Sequence, residues 1–293
     1  MYNIEDKVKK LQALEDSDLE NSKFDISFII LTWNSEKYIE KCLQSIDDIQ
    51  NFSTKIYIID NGSQDNTISL LERAKSQLVH AQLEVILLSS NRGTTISRNL
   101  GLKKAYENSH YICVLDSDTV VNKLAITQLV EILSSDSTIG IVGPVLQGQD
   151  GSIQNSGRAI PTLSLKLFKV LPLKKLRERG AGKEQIPKTQ AVTDVGYLMS
   201  ACWMMPASLV KKIGFLDENI FYAPEDVEYC MRAWKYGYRV CYVKNASIIH
   251  AWQRLSRKKL LSKHNWEHIK GLLYLFCRYH CYFNKPDYIH YKN

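Results

Sequence analysis

A chain of 293 residues with 45% hydrophobic and 24% charged residues is long enough for one large α/β domain with a helical appendage. Its apolar runs stop far short of the roughly 18 residues of a membrane-spanning helix, its charged first twenty residues lack a signal-peptide core, and its seven scattered cysteines include no C-x-x-C pair, which together argue for a cytoplasmic protein without a disulfide framework or zinc cluster. The formal charge of +7 is uneven: residues 161–190 carry +6 and residues 251–293 carry +7, leaving −6 elsewhere, a pattern of either solvated loop charge or local attraction to an anionic surface, with no nucleic-acid-binding module in sight.

In chain order, residues 1–23 read as a charged helical arm with a thin apolar stripe at Ile4, Val8 and Leu11. Four short apolar runs follow at 26–33, 55–60, 83–89 and 111–116, with helical patterns near 35–49, 65–78, 94–108 and 122–134 between them. Alternation of this kind predicts a mostly parallel, Rossmann-like sheet flanked by helices. Residues 139–146 read as a further strand, 148–152 as a turn, and the basic stretch 160–190 as an excursion. Buried β-like material returns at 195–206, a helix runs from Pro224 to about Tyr236, and 238–250 reads as strand, short loop, strand. A basic amphipathic helix over 256–281 closes the chain, with Trp266, Ile269, Leu272, Leu273 and Phe276 on one apolar side. The domain reading is therefore an arm (1–23), a catalytic domain (24–255) and a C-terminal extension (256–293).

In parallel α/β sheets, ligands bind beyond the carboxyl ends of the strands. Three strand ends are polar here: Thr32-Trp33-Asn34, Asp60-Asn61-Gly62-Ser63 and Asp116-Ser117-Asp118. Each alone is also ordinary turn or cap chemistry. An Asp-x-Asp at a strand end offers oxygens to Mg²⁺ or Mn²⁺ with coordination positions left for a diphosphate. Downstream, Pro224-Glu225-Asp226 is either plain helix-start chemistry or a general base, Asp226, placed at a helix entrance. His250, ending the last strand, is either structural or an imidazole metal ligand. Arg92 and Arg98 put cations near the same rim.

The ordered motifs ISFIILTWN, IYIIDNGSQDNT, NRGTTISRNLGLKKA, YICVLDSDTVV, FYAPEDVEYCMRAWKYGYRV and ASIIH resemble the family-two glycosyltransferases of GT-A fold over residues 25–255. The stretch DGSIQNSGRAIPT resembles the rhamnosyltransferase-type branch. The resemblance implies an inverting, metal-dependent enzyme. Thr32, Asn34 and Asp60 would line the donor's base pocket, Arg98 would sit by the base or diphosphate, and Asp116 would contact ribose or donor sugar. Asp118 and His250 would ligate Mg²⁺ or Mn²⁺, and Asp226 would act as the base, with Glu225 and Trp203 on the acceptor side. The donor implied first is dTDP-rhamnose, then a UDP-hexose or UDP-N-acetylhexosamine, and the acceptor a surface glycan or lipid-linked glycan. The basic segments would then bring the enzyme to the inner face of an anionic membrane, and the arm or C-terminal helix would mediate any self-association. The loop SSNRGTTISRN departs from the Gly-rich form of many relatives. A nucleotidyltransferase would carry a Gly-rich phosphate loop directly after the first strand, where this chain reads TWNSEKYIEKCLQS; a non-catalytic nucleotide-binding scaffold is the other alternative.

Overall fold

The computed structural model describes residues 23–170, 185–251 and 263–291. The proposed arm lies outside them, as do the centre of the basic excursion and the start of the C-terminal helix. The first half follows the expected alternation. Strands β1 (Phe24–Thr32), β2 (Thr54–Asp60), β3 (Gln82–Leu87) and β4 (Ser109–Asp116) are separated by helices α1 (Ile39–Asp47), α2 (Thr67–Gln77) and α3 (Thr94–Ala105). Helix α4 (Lys123–Ser135) follows the short strand β5 (Thr119–Val120).

The second half continues through β6 (Ile139–Gln147), β7 (Ile153–Gln154), β8 (Gly157–Arg158), α5 (Leu163–Val170), β9 (Val192–Asp194), β10 (Tyr197–Leu198) and β11 (Cys202–Pro206). It ends with α6 (Ala207–Ile213), α7 (Glu225–Lys235), β12 (Arg239–His250) and α8 (Lys263–Tyr279). The main sheet has the order β3-β2-β1-β4-β11-β6-β12-β5, with β7 on β6 and β9 on β12. β1 to β4 pair in parallel, whereas β11 runs antiparallel to both β4 and β6. The sheet is thus parallel on one side and mixed on the other. The expected strand–loop–strand at 238–250 is one strand, β12, with a register shift between Val243 and Ser247 where its pairing to β6 skips residues.

Alternation along β1 shows how the sheet is buried. Ile29 packs with Ile59 and Leu102 on one face, while Phe28 and Ile30 join Ile39, Leu43 and Ile58 on the other, because successive strand side chains point to opposite faces. Both faces are covered, as β1's near-continuous apolar run requires.

Residues 263–291 are built into the core rather than appended to it. Leu275, Phe276, Cys281, Ile289 and Tyr291 belong to the same buried cluster as Ile29 and Trp203. The apolar residues of α8 therefore divide: Phe276 and Leu275 face inward, whereas Trp266, Ile269 and Leu273 are 59%, 49% and 53% exposed. Among the described residues no helix is long and apolar enough to cross a membrane.

The loop before α7 is clamped from two sides. A Cβ at Gly271 of α8 would lie 2.2 Å from the Ala223 carbonyl oxygen, and one at Gly93 would lie 2.3 Å from that of Phe221. Thr94 also donates its backbone N–H to Phe221 O at 2.7 Å. The segment that carries Glu225 and Asp226 is thereby held against the carboxyl ends of the parallel strands.

Candidate functional site

A cavity of about 360 Å³ opens at the carboxyl ends of β1 and β4, lined among others by Trp33, Arg98, Asp116, Asp118, Tyr222, Glu225, Asp226 and His250. Residues from six separated stretches converge there, as the strand-end rule anticipates.

Asp116 and Asp118 flank a tight turn from β4 into β5. Thr119 Oγ1 donates to Asp116 O at 2.7 Å, and the Ser117 and Ser35 hydroxyls lie 2.9 Å apart. The next strand sets the third member of the cluster. β5 pairs antiparallel with β12, placing His250 opposite Thr119. His250 Nε2 then lies 3.3 Å from Asp118 Oδ1 and 4.0 Å from Asp116 Oδ2. One ligand atom from each of the three residues falls within 4.8 Å of the others. Two carboxylates and a buried imidazole fit a Mn²⁺- or Mg²⁺-type cation, with the harder Mg²⁺ favouring the oxygens. Burial disfavours the charged form of His250, but the Asp118 contact and the two carboxylate charges outweigh it and raise its pKa.

Across the cavity, Glu225 and Asp226 open α7. Pro224 occupies the cap position and offers no side-chain hydrogen bond. Asp226 Oδ1 accepts the Val227 N–H at 2.8 Å, so the residue takes part in helix-start chemistry while facing the cavity. Burial, opposed by that bond and by the Arg158, Arg98 and Lys166 charges, carries its pKa from 3.8 up to about 6. A carboxylate in that range can both exist as a base near neutrality and hold a proton. Glu225 accepts from Ser200 Oγ at 3.0 Å and Arg98 Nη1 at 3.1 Å. Its burial and the adjacent Asp226 charge raise its pKa despite Arg98.

Arg98 differs from the expectation of a donor-facing cation. It is 2% exposed, and besides Glu225 it donates from Nη2 to Asp116 Oδ1 at 2.6 Å. Both terminal nitrogens are thus engaged by carboxylates, making Arg98 a strut between the two sides of the cavity. Asp116 itself is raised in pKa, since burial outweighs the Arg98 charge.

The other expected site residues divide. Asn34 is exposed at the rim, in the left-handed region at φ 52°, and its side chain accepts the Gln64 N–H at 2.8 Å. Thr32 and Asp60 are both fully buried and do not line the cavity. Asp60 accepts from Thr32 Oγ1, the Gly62 and Ser63 N–H groups and Ser63 Oγ. They shape the loops around the pocket. Trp203, expected near the acceptor, lies instead in the core: it is fully buried, stacks on Tyr229 at 6.0 Å, and donates from Nε1 to Leu198 O. On β11 it stands opposite Val114 of β4 and joins the cluster that holds Val114 and Ile29. Ser200 and Met199 lie in no quoted motif, and Gln154 lies in DGSIQNSGRAIPT without having been singled out. Ser200 holds Glu225, Met199 lines the cavity, and Gln154 holds His250 at 2.7 Å.

With this geometry in place, comparisons with known proteins give a consistent answer. The glycosyl transferase family 2 model matches residues 27–214. The low-salt glycan biosynthesis hexosyltransferase Agl10 of Haloferax volcanii is 25% identical over 228 residues, 77% of this chain and 67% of that protein. The N-acetylglucosaminyl-diphospho-decaprenol L-rhamnosyltransferase of Mycobacterium tuberculosis is 23% identical over 231 residues, 76% of this chain and 74% of that protein. Some matches are partial: the chain spans only 27% of a Staphylococcus aureus poly-β-1,6-N-acetyl-D-glucosamine synthase, at 30% identity over 117 residues, 40% of this chain. In structure, the mannosyltransferase PcManGT from Pyrobaculum calidifontis in complex with GDP-Man and Mn²⁺ aligns with a TM-score of 0.62 over 94% of this chain and 72% of that one, at 16% identity. That likeness concerns the fold, which is of the GT-A kind. The match of the family model over residues 27–214, more than half of the chain, means that this chain belongs to glycosyl transferase family 2.

Proposed function

We propose that the chain is an inverting glycosyltransferase in which Asp226 is the general base and the Asp116–Asp118–His250 cluster is the donor-side metal site. The observation that carries this reading is the placement of a carboxylate with raised pKa and a three-ligand cluster on the walls of one cavity. Asp226 takes the proton of an acceptor hydroxyl. That oxygen bonds to the anomeric carbon as the carbon–phosphate oxygen bond breaks, its electron pair leaving with the nucleoside diphosphate. Attack opposite the leaving group inverts the configuration. Asp118 and His250, with Asp116 beside them, would hold a Mn²⁺ or Mg²⁺ whose charge offsets that developing on the diphosphate. Arg98 positions both walls through Asp116 and Glu225, and Glu225 in turn sets the start of the helix that presents Asp226. Family membership favours sugar transfer over nucleotidyl transfer.

For the donor, the likeness to a mycobacterial rhamnosyltransferase favours dTDP-rhamnose, and the likeness to a hexosyltransferase keeps UDP-hexoses and UDP-N-acetylhexosamines next. For the acceptor, the same relatives favour a lipid-linked or surface glycan. Trp266, Ile269 and Leu273 stand exposed along α8, and the sequence of residues 251–293 carries a surplus of cations. An exposed apolar stripe in a segment of basic sequence suits an anionic membrane surface.

A donor panel screened by thermal shift, with and without Mn²⁺, tests the reading, because a cognate ligand stabilises by mass action. The stabilising donor is then supplied with acceptor and the product's anomeric configuration read by NMR. Retained configuration, or stabilisation by no nucleotide sugar, would count against it.

A further inference from the structure

His250 is oriented by Gln154, a residue of the stretch DGSIQNSGRAIPT to which no site role has been given. Gln154 sits on the two-residue strand β7, opposite Leu146 of β6, and Leu146 is in turn opposite Ile248 of β12. Ile153 on the same strand is 63% exposed while Gln154 is 5% exposed, so the alternation of β7 sends Gln154 inward. Its amide grips His250 twice. Nε2 donates to the His250 backbone carbonyl at 2.9 Å, and Oε1 lies 2.7 Å from the ring nitrogen Nδ1.

The first contact decides the chemistry of the second. A carbonyl oxygen only accepts, so the amide nitrogen must face it, which leaves Oε1 toward the ring. Oε1 only accepts, so Nδ1 must carry the proton. A neutral imidazole with its proton on Nδ1 has its lone pair on Nε2, the atom that lies 3.3 Å from Asp118. We propose that Gln154 is a positioning residue that fixes both the ring orientation and the tautomer of His250, so that Nε2 faces the Asp116–Asp118 pair as a metal ligand. The inference rests on the metal site proposed above. In metal sites, such outer partners commonly shift metal affinity by about 10–100-fold.

The test reads tautomer and metal affinity, not turnover. Histidine-selective ¹⁵N NMR of the metal-free protein at alkaline pH, with His250 assigned by H250Q, should show the proton on Nδ1; a proton on Nε2 overturns the proposal whatever the Gln154 variants do. Mn²⁺ alone is then titrated by electron paramagnetic resonance. Gln154→Met, similar in length but without an amide, should weaken Mn²⁺ binding about 10–100-fold in a protein that still unfolds cooperatively, at a midpoint lowered by the lost hydrogen bonds. Gln154→Glu keeps an oxygen for Nδ1–H and should bind Mn²⁺ more tightly than Q154M. Undiminished binding by Q154M, in a protein where D118N abolishes it, overturns the role of Gln154 alone. Absence of Mn²⁺ binding by the unaltered protein overturns the metal site and this inference together.

Discussion

Arg98 and Glu225, 127 positions apart, meet at 3.1 Å beneath the cavity, and the other end of the same guanidinium holds Asp116 at 2.6 Å. One buried cation thus ties α3 to both β4 and α7. The arrangement joins the metal-binding wall to the wall bearing the base.

Removing that cation leaves Glu225 buried with a neutral hydroxyl, that of Ser200, in place of a counter-charge, and takes the guanidinium from the partly exposed Asp116. Breaking a buried ion pair by removing one member costs about 3–5 kcal/mol, so Arg98→Met should lower unfolding stability by about 3 kcal/mol in urea titrations. Adding Glu225→Gln should recover part of the loss, because one orphaned charge is then gone. A loss in R98M of less than about 0.5 kcal/mol, the range of an ordinary surface change, would contradict the strut.

Burial lifts Asp226 to about 6, and a base works only when ionised. Transfer rate at saturating substrate should therefore rise with pH, half-maximal near 6, and level off above about 7. A rate that is flat between about pH 5 and 8 would argue against Asp226 as the proton acceptor.

The same shift has a consequence for stability, with the opposite sign. The folded state binds this proton more tightly than the unfolded chain, whose carboxyl titrates near 3.8. The penalty is absent below the unfolded value, grows as pH rises from about 4 to 6, and is complete above that. Asp226→Asn removes the charge, so at pH 7 it should stabilise the protein by on the order of 1 kcal/mol after allowance for partial solvent contact. The gain should vanish near pH 4. Calorimetric unfolding at the two pH values decides it, and destabilisation at pH 7 would be the contrary result.

The exposed stripe on α8 makes a separate prediction. Sedimentation with phosphatidylserine-containing vesicles should exceed that with neutral vesicles and fall with salt. Replacing Trp266, Ile269 and Leu273 together by serine should abolish it. Equal sedimentation with both vesicle types would remove the membrane from the account.

Much of this site was legible in the sequence because strand ends in a parallel sheet converge. Asp116 and Asp118 are two residues apart, and both line the cavity. The same alternation explains a shortfall: Leu31 and Trp33 line the cavity, whereas Thr32 between them turns away to Asp60. Polarity at a strand end marks the rim but not the direction of each side chain. Trp203 lies in a run apolar on both sides, where no periodicity distinguishes core from pocket. Gln154 and the double engagement of Arg98 depend on contacts 96 and 127 residues away, which no local pattern encodes. The division of α8 into inward and outward apolar faces likewise depends on what the helix packs against.

In the proposed mechanism Asp226 moves a proton and does not hold the donor. Donor affinity and transfer should be measured side by side in Asp226→Asn, using the sugar nucleotide that stabilises the unaltered protein. The variant should show a dissociation constant within about twofold of the original and transfer reduced by about 10²–10⁴-fold, the usual contribution of a general base. Transfer at the original rate would contradict it.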